Sequence, residues 1–439
     1  MRFRHFDRTF GLLFTVMLVI AAGNTALQSV LPALGRSLHA PDSAVAAVFS
    51  VSALLWVIAA PFWANRSDRH GRRAMVLVGV AGFTVSLGLC GLCLAMGING
   101  LLGPAATFIA FILGRMLYGA FGAAAPPAVQ AIVAGRTSRE ERTGALTLLA
   151  SAFGLGTILG PAIAPLLVMG RLWPGGPMIG LAGPAFAASA VGVVIWIAAA
   201  RGLSKDEGNA HGAAASYPSI GGQGTGATVT AATAETSENV RYFDPRIRAW
   251  IIAGLIVGHA QAMTGQAIGF LIIDRMHVAP IDAIHPTGLV LMIGAGSSLL
   301  AQWGLIPMLD LKPRALILAG AALGALGCVA VGTATSLYGI ALGYAVTALG
   351  MGLARPGFTA GASLGVGPEA QGSVAGKVTS VNGAAFVLGP SLGVGLYELW
   401  RPLPYLTAAG WLGCLLVYAW VATRGPSSPL PEGEGDRRR

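Results

Sequence analysis

The polar chemistry of this chain is confined to a few residues set in long apolar runs. Arg115 stands inside the run Ala105 to Val133, in the string Gly114-Arg115-Met116-Leu117-Tyr118-Gly119, about 15 Å from its start at 1.5 Å per helical residue. A guanidinium stays charged, and at membrane depth it costs at least a few kcal/mol unless it faces a cavity or a partner. It could contact a substrate, tune a nearby proton, or serve structure alone through backbone carbonyls and water. His259, about 15 Å into the run Ala249 to Ile273, titrates near neutral pH, which suits either proton transfer or a core hydrogen bond to another helix. Asn24, Gln28, Gln261 and Gln266 could bind substrate or hold helices together. His259 and Met263, at i and i+4, share a helix face and could serve as soft metal ligands, with Cys90 and Cys93 adding thiolates. A Met at helical spacing more often packs. Arg355 is a second Arg within a span, and no span midpoint holds Asp or Glu. The visible central charge is therefore positive.

These residues sit on elements that only a membrane explains. Charged residues make up 10% of the 439 residues and hydrophobic ones 54%, against roughly 25% charged in a soluble domain; a soluble globule is excluded. A bilayer core of about 30 Å needs about 20 apolar residues per helix. Twelve such runs can be marked: Phe10–Leu34, Ala44–Phe62, Ala74–Met96, Ala105–Val133, Thr143–Met169, Met178–Ala200, Ala249–Ile273, Pro286–Met308, Ala315–Thr333, Leu337–Ala360, Gly376–Leu396 and Tyr405–Ala422. They are apolar all round and twice the length of a barrel strand. The first follows Arg2, Arg4 and Arg8 but exceeds a signal-peptide core and lacks an A-x-A-like cleavage site, so it reads as helix one.

Twenty-two of the 28 Lys and Arg residues fall on the N-terminal side of these spans and four on the other. Both termini are thus expected in the cytoplasm, and the net charge of +10 needs no nucleic acid. The expected class is an all-α membrane protein of two pseudo-symmetric six-helix bundles, 1–200 and 249–423. A flexible cytoplasmic linker, 201–248, rich in Gly, Ala, Ser and Thr, joins them, and 424–439 form a disordered tail. A shift of 229 residues lays Leu159-Gly160-Pro161 on Leu388-Gly389-Pro390, Pro127 on Pro356 and Gly114 on Gly343. Such duplication suits two bundles rocking about a site between them.

Three motifs carry a resemblance. The turn Ala64-Asn65-Arg66-Ser67-Asp68-Arg69-His70-Gly71-Arg72-Arg73 combines one acid with an Arg cluster that can bridge helices or meet anionic lipid, and Gly71 permits a tight reversal. Its order resembles the loop signature of the major facilitator superfamily, with Ala64 in the place of the usual first Gly. The Arg115 string is similar to that family's helix-four Arg motif. Gly154-Leu155-Gly156-Thr157-Ile158-Leu159-Gly160-Pro161, with small residues every four positions and a Pro that bends the helix, resembles the motif of its drug/proton antiporters. Thr25, Gln28 and Pro32 partly match their helix-one pattern. The stretches Gly265-Gln266 to Asp274-Arg275 and Gln371-Gly372 to Gly389-Pro390 look similar to tetracycline-type exporters.

The resemblance implies a twelve-span secondary transporter in the bacterial inner membrane. It would export a small amphipathic drug-like compound by alternating access, coupled to protons, with no cofactor and as a monomer. It implies substrate or proton roles for Arg115, His259, Asn24, Gln28, Gln261 and Gln266. A cytoplasmic gate is implied at Asp68, Arg69, Gly71, Arg72 and Arg73, with Asp68 facing helix eleven, and helix-five packing at Gly156, Gly160 and Pro161. Departures matter: Gly23 replaces a helix-one acid and Gly135 an acid at the end of helix four. With Arg115 unneutralised in its layer, the expected substrate is neutral or anionic. The alternatives are a copper or other metal importer of the same superfamily using His259 and Met263, and a transporter of an organic anion or siderophore. An enzyme is not expected, for no nucleophile, base and orienting partner cluster together. Gly372 to Lys377 fails as a phosphate loop at Gln371 and Val378.

Overall fold

The computed structural model describes residues 8–137, 139–204, 239–367 and 370–422. Side-chain surroundings are described for these apart from residues 64, 65, 68, 69, 139–144, 147, 371 and 372. Twelve helices are long and apolar enough to span a bilayer. The N-terminal bundle holds α1 (Arg8–Ser37), α2 (Asp42–His70), α3 (Arg72–Ile98), α4 (Pro104–Arg136), α5 (Arg139–Ile163) and α6 (Gly183–Gly202). The C-terminal bundle holds α7 (Arg248–Met276), α8 (Ile284–Leu309), α9 (Pro313–Thr333), α10 (Leu337–Leu364), α11 (Gln371–Leu399) and α12 (Leu403–Ala422).

The duplication seen in the sequence is a duplication of packing. On α5, a Cβ built on Gly156 would lie 2.5 Å from the Leu18 carbonyl oxygen, and one on Gly160 2.4 Å from that of Ala22. Only hydrogen side chains let α5 approach the α1 backbone so closely. In the second bundle, a Cβ on Gly389 would lie 2.5 Å from the Ala262 Cβ, and one on Gly393 2.6 Å from the Met263 Cα, so α11 meets α7 as α5 meets α1. The bundles join where α2 meets α11, with Ser391 Oγ donating to Ser50 Oγ at 2.8 Å, and where α8 meets α5.

Helix α4 is interrupted below its Arg. Pro126 and Pro127 cannot donate to the carbonyls one turn earlier, and the chain passes through a π turn at Tyr118–Gly122 before resuming at Ala125. Side chains of α2 bond carbonyls of this stretch: Ser52 Oγ donates to Arg115 O at 3.2 Å and Trp63 Nε1 to Ala120 O at 2.6 Å. Widened turns of this kind recur at functional sites.

Two expected spans are corrected at their ends. Helix five, expected to reach Met169, stops at Ile163 and closes in a 3-10 turn, Ala164–Leu167. Met178, expected to open helix six, lies in the strand β2 (Met178–Gly180), antiparallel to β1 (Met169–Arg171). Pro174, Gly175, Gly176 and Pro177 force the reversal, and Asn99 pins it to α3 by bonding both the N–H and C=O of Met178 at 2.8 Å. Of the segment expected as linker, 201–204 and 239–248 are described: Arg201 and Gly202 close α6, Arg248 opens α7, and Leu203, Val240 and Ile247 are buried. Residues 205–238 and the tail from 423 lie outside the described residues.

Candidate functional site

A cavity of about 250 Å³ lies between the bundles and is lined from both. On α1, Asn24, Thr25 and Gln28 fall within about 100° of one another at 3.6 residues per turn and face it. Gln261, Gly265 and Gln266 present one face of α7 to the same space. Gln28 Nε2 donates to Gln266 Oε1 at 3.3 Å, a direct bond between the bundles. Five of the six residues expected on the substrate path, Arg115, Asn24, Gln28, Gln261 and Gln266, therefore line one space.

Arg115 is 2% exposed. Its Nη2 donates to Asn24 Oδ1 at 2.7 Å, and its guanidinium carbon lies 4.6 Å from the Tyr118 ring centre and 5.3 Å from that of Phe49. Aromatic faces help to hold a desolvated cation. Nε and Nη1 are buried without a hydrogen-bond partner. Unmade hydrogen bonds on a buried charge are expensive, so an acceptor that reached either donor would be held firmly.

Sequence reasoning noted Arg355 only as a charge within a span; the structure brings it, 8% exposed, from α10 to the same wall. It also missed the aromatic wall of Phe49, Trp56, Tyr118, Phe153, Tyr344 and Phe386. Aromatic residues scattered over five apolar helices give no local signal of convergence. Among the described residues, the cavity wall contains no Asp, Glu, Lys, His or Cys.

His259 does not line this space. It stands about 90° round α7 from the centre of the 261–266 face, and its Nδ1 is 2.8 Å from the carbonyl of Leu255, one turn earlier. Met263 is fully buried in the core of the C-terminal bundle. Among the described residues no three His, Cys, Asp or Glu gather as a metal site.

Of the gate residues, Gly71 takes φ +88° between α2 and α3, which explains the glycine. Arg72 is buried and its Nη1 donates to Ala131 O of α4 at 2.7 Å; Arg73 Nη2 donates to Ala200 O of α6 at 2.5 Å. Both tie the start of α3 to its own bundle. The side chains of Asp68 and Arg69 lie outside the described residues. Pro161 borders the cavity next to Gly160.

Away from the N-terminal side, Arg36 at the end of α1 meets Asp274 near the end of α7. Asp274 also accepts from Tyr397 Oη at 2.5 Å and pairs with Arg401. Ser43 N donates to Glu398 on α11 at 2.8 Å.

Comparisons agree with this geometry. Over 159 residues the chain is 28% identical to Multidrug resistance protein 1 of Bacillus subtilis strain 168, covering 36% of this chain and 38% of that protein. Over 151 residues it is 30% identical to the class B Tetracycline resistance protein of Escherichia coli, covering 34% of each. The matches thus span little more than a third of these relatives. The fold superimposes on a bacterial homolog of the lysosomal transporter Spinster, in an inward-facing and occupied conformation, with TM-score 0.70 and 13% identity over 94% of this chain and 96% of that one. A sequence profile described as Major Facilitator Superfamily matches residues 13–390. With twelve spans among its described residues, duplicated helix packing and a cavity shared by two bundles, the chain belongs to the major facilitator superfamily.

Proposed function

We propose that this protein is an exporter of small amphipathic compounds, neutral or anionic, working by alternating access. The observation that carries the reading is the buried Arg115 guanidinium, two of whose donors are unbonded, in a residue that lines a cavity built from both bundles. A neutral acceptor or an acid group would complete those bonds, while a cation would meet repulsion at low dielectric. The aromatic wall suits the apolar body of such a compound. Export is supported by the drug-resistance names of the relatives, and a monomer by a cavity complete within one chain. The 22-to-4 distribution of Lys and Arg supports a bacterial inner-membrane protein with both termini cytoplasmic. Proton coupling, implied by the resemblance, has no Asp, Glu, Lys or His to act through among the described residues of the cavity wall, and His259 stands off it.

Competition in proteoliposomes tests the reading. Uptake of a neutral aromatic amide should be displaced by aromatic anions and not by ethidium. Preferential transport of ethidium would overturn it.

A further inference from the structure

Export from a bacterium needs an energy source, and the cavity wall limits which one acts there. Two guanidinium groups reach it from different bundles, Arg115 on α4 and Arg355 on α10, both deeply buried. Among the described residues the wall has no Asp, Glu, Lys, His or Cys. Its phenols, Tyr118 and Tyr344, belong to a residue type that ordinarily titrates near 10, and arginine keeps its proton throughout the physiological range. Among the described residues, no group on the wall can exchange a proton for substrate near neutral pH. The two guanidinium groups keep the wall positive through the cycle, and Nε and Nη1 of Arg115, on opposite flanks of its guanidinium, are without a hydrogen-bond partner, so either would give an acid group a charge-assisted hydrogen bond.

We propose that the cavity carries aromatic organic anions and that the membrane potential, without proton exchange, drives them. The proposal rests on the transporter reading above and narrows it to one substrate class and one driving force. The acid group binds Arg115, the apolar body lies against the aromatic wall, and Arg355 contributes the second positive charge. One negative charge then crosses per molecule moved, with no proton returned. In a cell negative inside, that charge is pushed outward, so the potential by itself supports export. The limiting concentration ratio is about 50-fold per 100 mV for a monovalent anion, the equivalent of about 2.3 kcal/mol. Arg355 is thereby a specificity residue: its charge selects anions over isosteric neutral compounds.

The test uses the full-length protein in phosphatidylcholine–phosphatidylglycerol vesicles, with 2-naphthalenesulfonate as a fluorescent anion that stays ionised at every working pH. Its sulfonamide serves as the neutral match and ethidium as the cation. A potassium gradient with valinomycin sets the potential, and a pH gradient is applied separately with the potential clamped at zero. The sulfonate should move toward the positive side and reverse when the potential is reversed, and a pH gradient alone should not concentrate it. Concentration by the pH gradient at zero potential, or indifference to the potential, would overturn the driving force while leaving the transporter reading intact. Movement of ethidium in preference, or of no probe at all, would overturn that reading too. Arg355→Gln should cut sulfonate affinity about tenfold and bring it near that of the sulfonamide, and Arg355→Lys should restore most of the preference. Equal sulfonate affinity in wild type and Arg355→Gln would remove Arg355 from the proposal.

Discussion

Arg36 and Asp274 meet end to end across the two bundles, Nη1 to Oδ1 at 2.5 Å and Nη2 to Oδ2 at 3.0 Å. The guanidinium also binds both oxygens of Asp42, at 3.1 and 2.6 Å, and lies over the Phe270 ring. One planar fork thus ties α1, the start of α2 and the end of α7, on the side away from the N terminus. Alternating access requires that this side part.

Breaking the pair should therefore shift the resting population. Asp274→Asn removes the charge and keeps the shape. A partly exposed bidentate pair of this kind is worth about 1–2 kcal/mol, or roughly 5- to 30-fold in population. Spin labels at Ser37→Cys and Ala279→Cys, with Cys93 and Cys414 replaced by Ala, should show a longer distance component growing in Asp274→Asn. An unchanged distance distribution would remove the pair from the gate.

Helix packing gives a stability test. Gly160→Ala places a methyl 2.2 Å from Thr25 Oγ1 and 2.4 Å from the Ala22 carbonyl oxygen, so α5 must move off α1, at a cost of about 1–3 kcal/mol. Thermal unfolding in detergent should begin several degrees lower. Gly410→Ala, with nothing within 4 Å of the new carbon, should unfold like the parent.

His259 separates the two energy sources. Standing off the cavity wall and bonded within its own helix, it is expected to be dispensable: His259→Gln should transport the sulfonate within about twofold of wild type across pH 6 to 8. Loss of a pH-dependent component in that variant would return His259 to a proton path.

Topology follows from charge alone. An impermeant thiol reagent added to intact cells should leave Ser219→Cys unlabelled and react after permeabilisation, because the positive-inside rule puts the central linker in the cytoplasm. Strong labelling of intact cells would reverse the assignment.

The spans were legible because a bilayer demands about 20 apolar residues whatever their neighbours. The Gly160 and Gly389 contacts were legible because a duplicated small-residue string must repeat its packing. The β-hairpin was hidden, since Leu172, Trp173 and Met178 carry the apolar run through a stretch whose geometry is set by Gly and Pro. Arg115 announced itself through the cost of its burial, but its aromatic cage and Arg355 did not, because their convergence depends on the relative rotation of separate helices. The same holds for Arg36 and Asp274, which lie 238 residues apart. For His259, depth within a helix was readable while its facing was not.

The claim on which the rest depends is that Arg115 presents unbonded donors to an entering acceptor. Equilibrium binding of 2-naphthalenesulfonate and of ethidium to the purified protein, followed through tryptophan fluorescence, tests it most directly. Wild type should bind the sulfonate and not the cation. Arg115→Gln should weaken the sulfonate at least tenfold, about 1.4 kcal/mol or more, while Arg314→Gln, remote beside Trp420, should leave it unchanged. Tighter binding of ethidium, or undiminished sulfonate binding in Arg115→Gln, would contradict the claim.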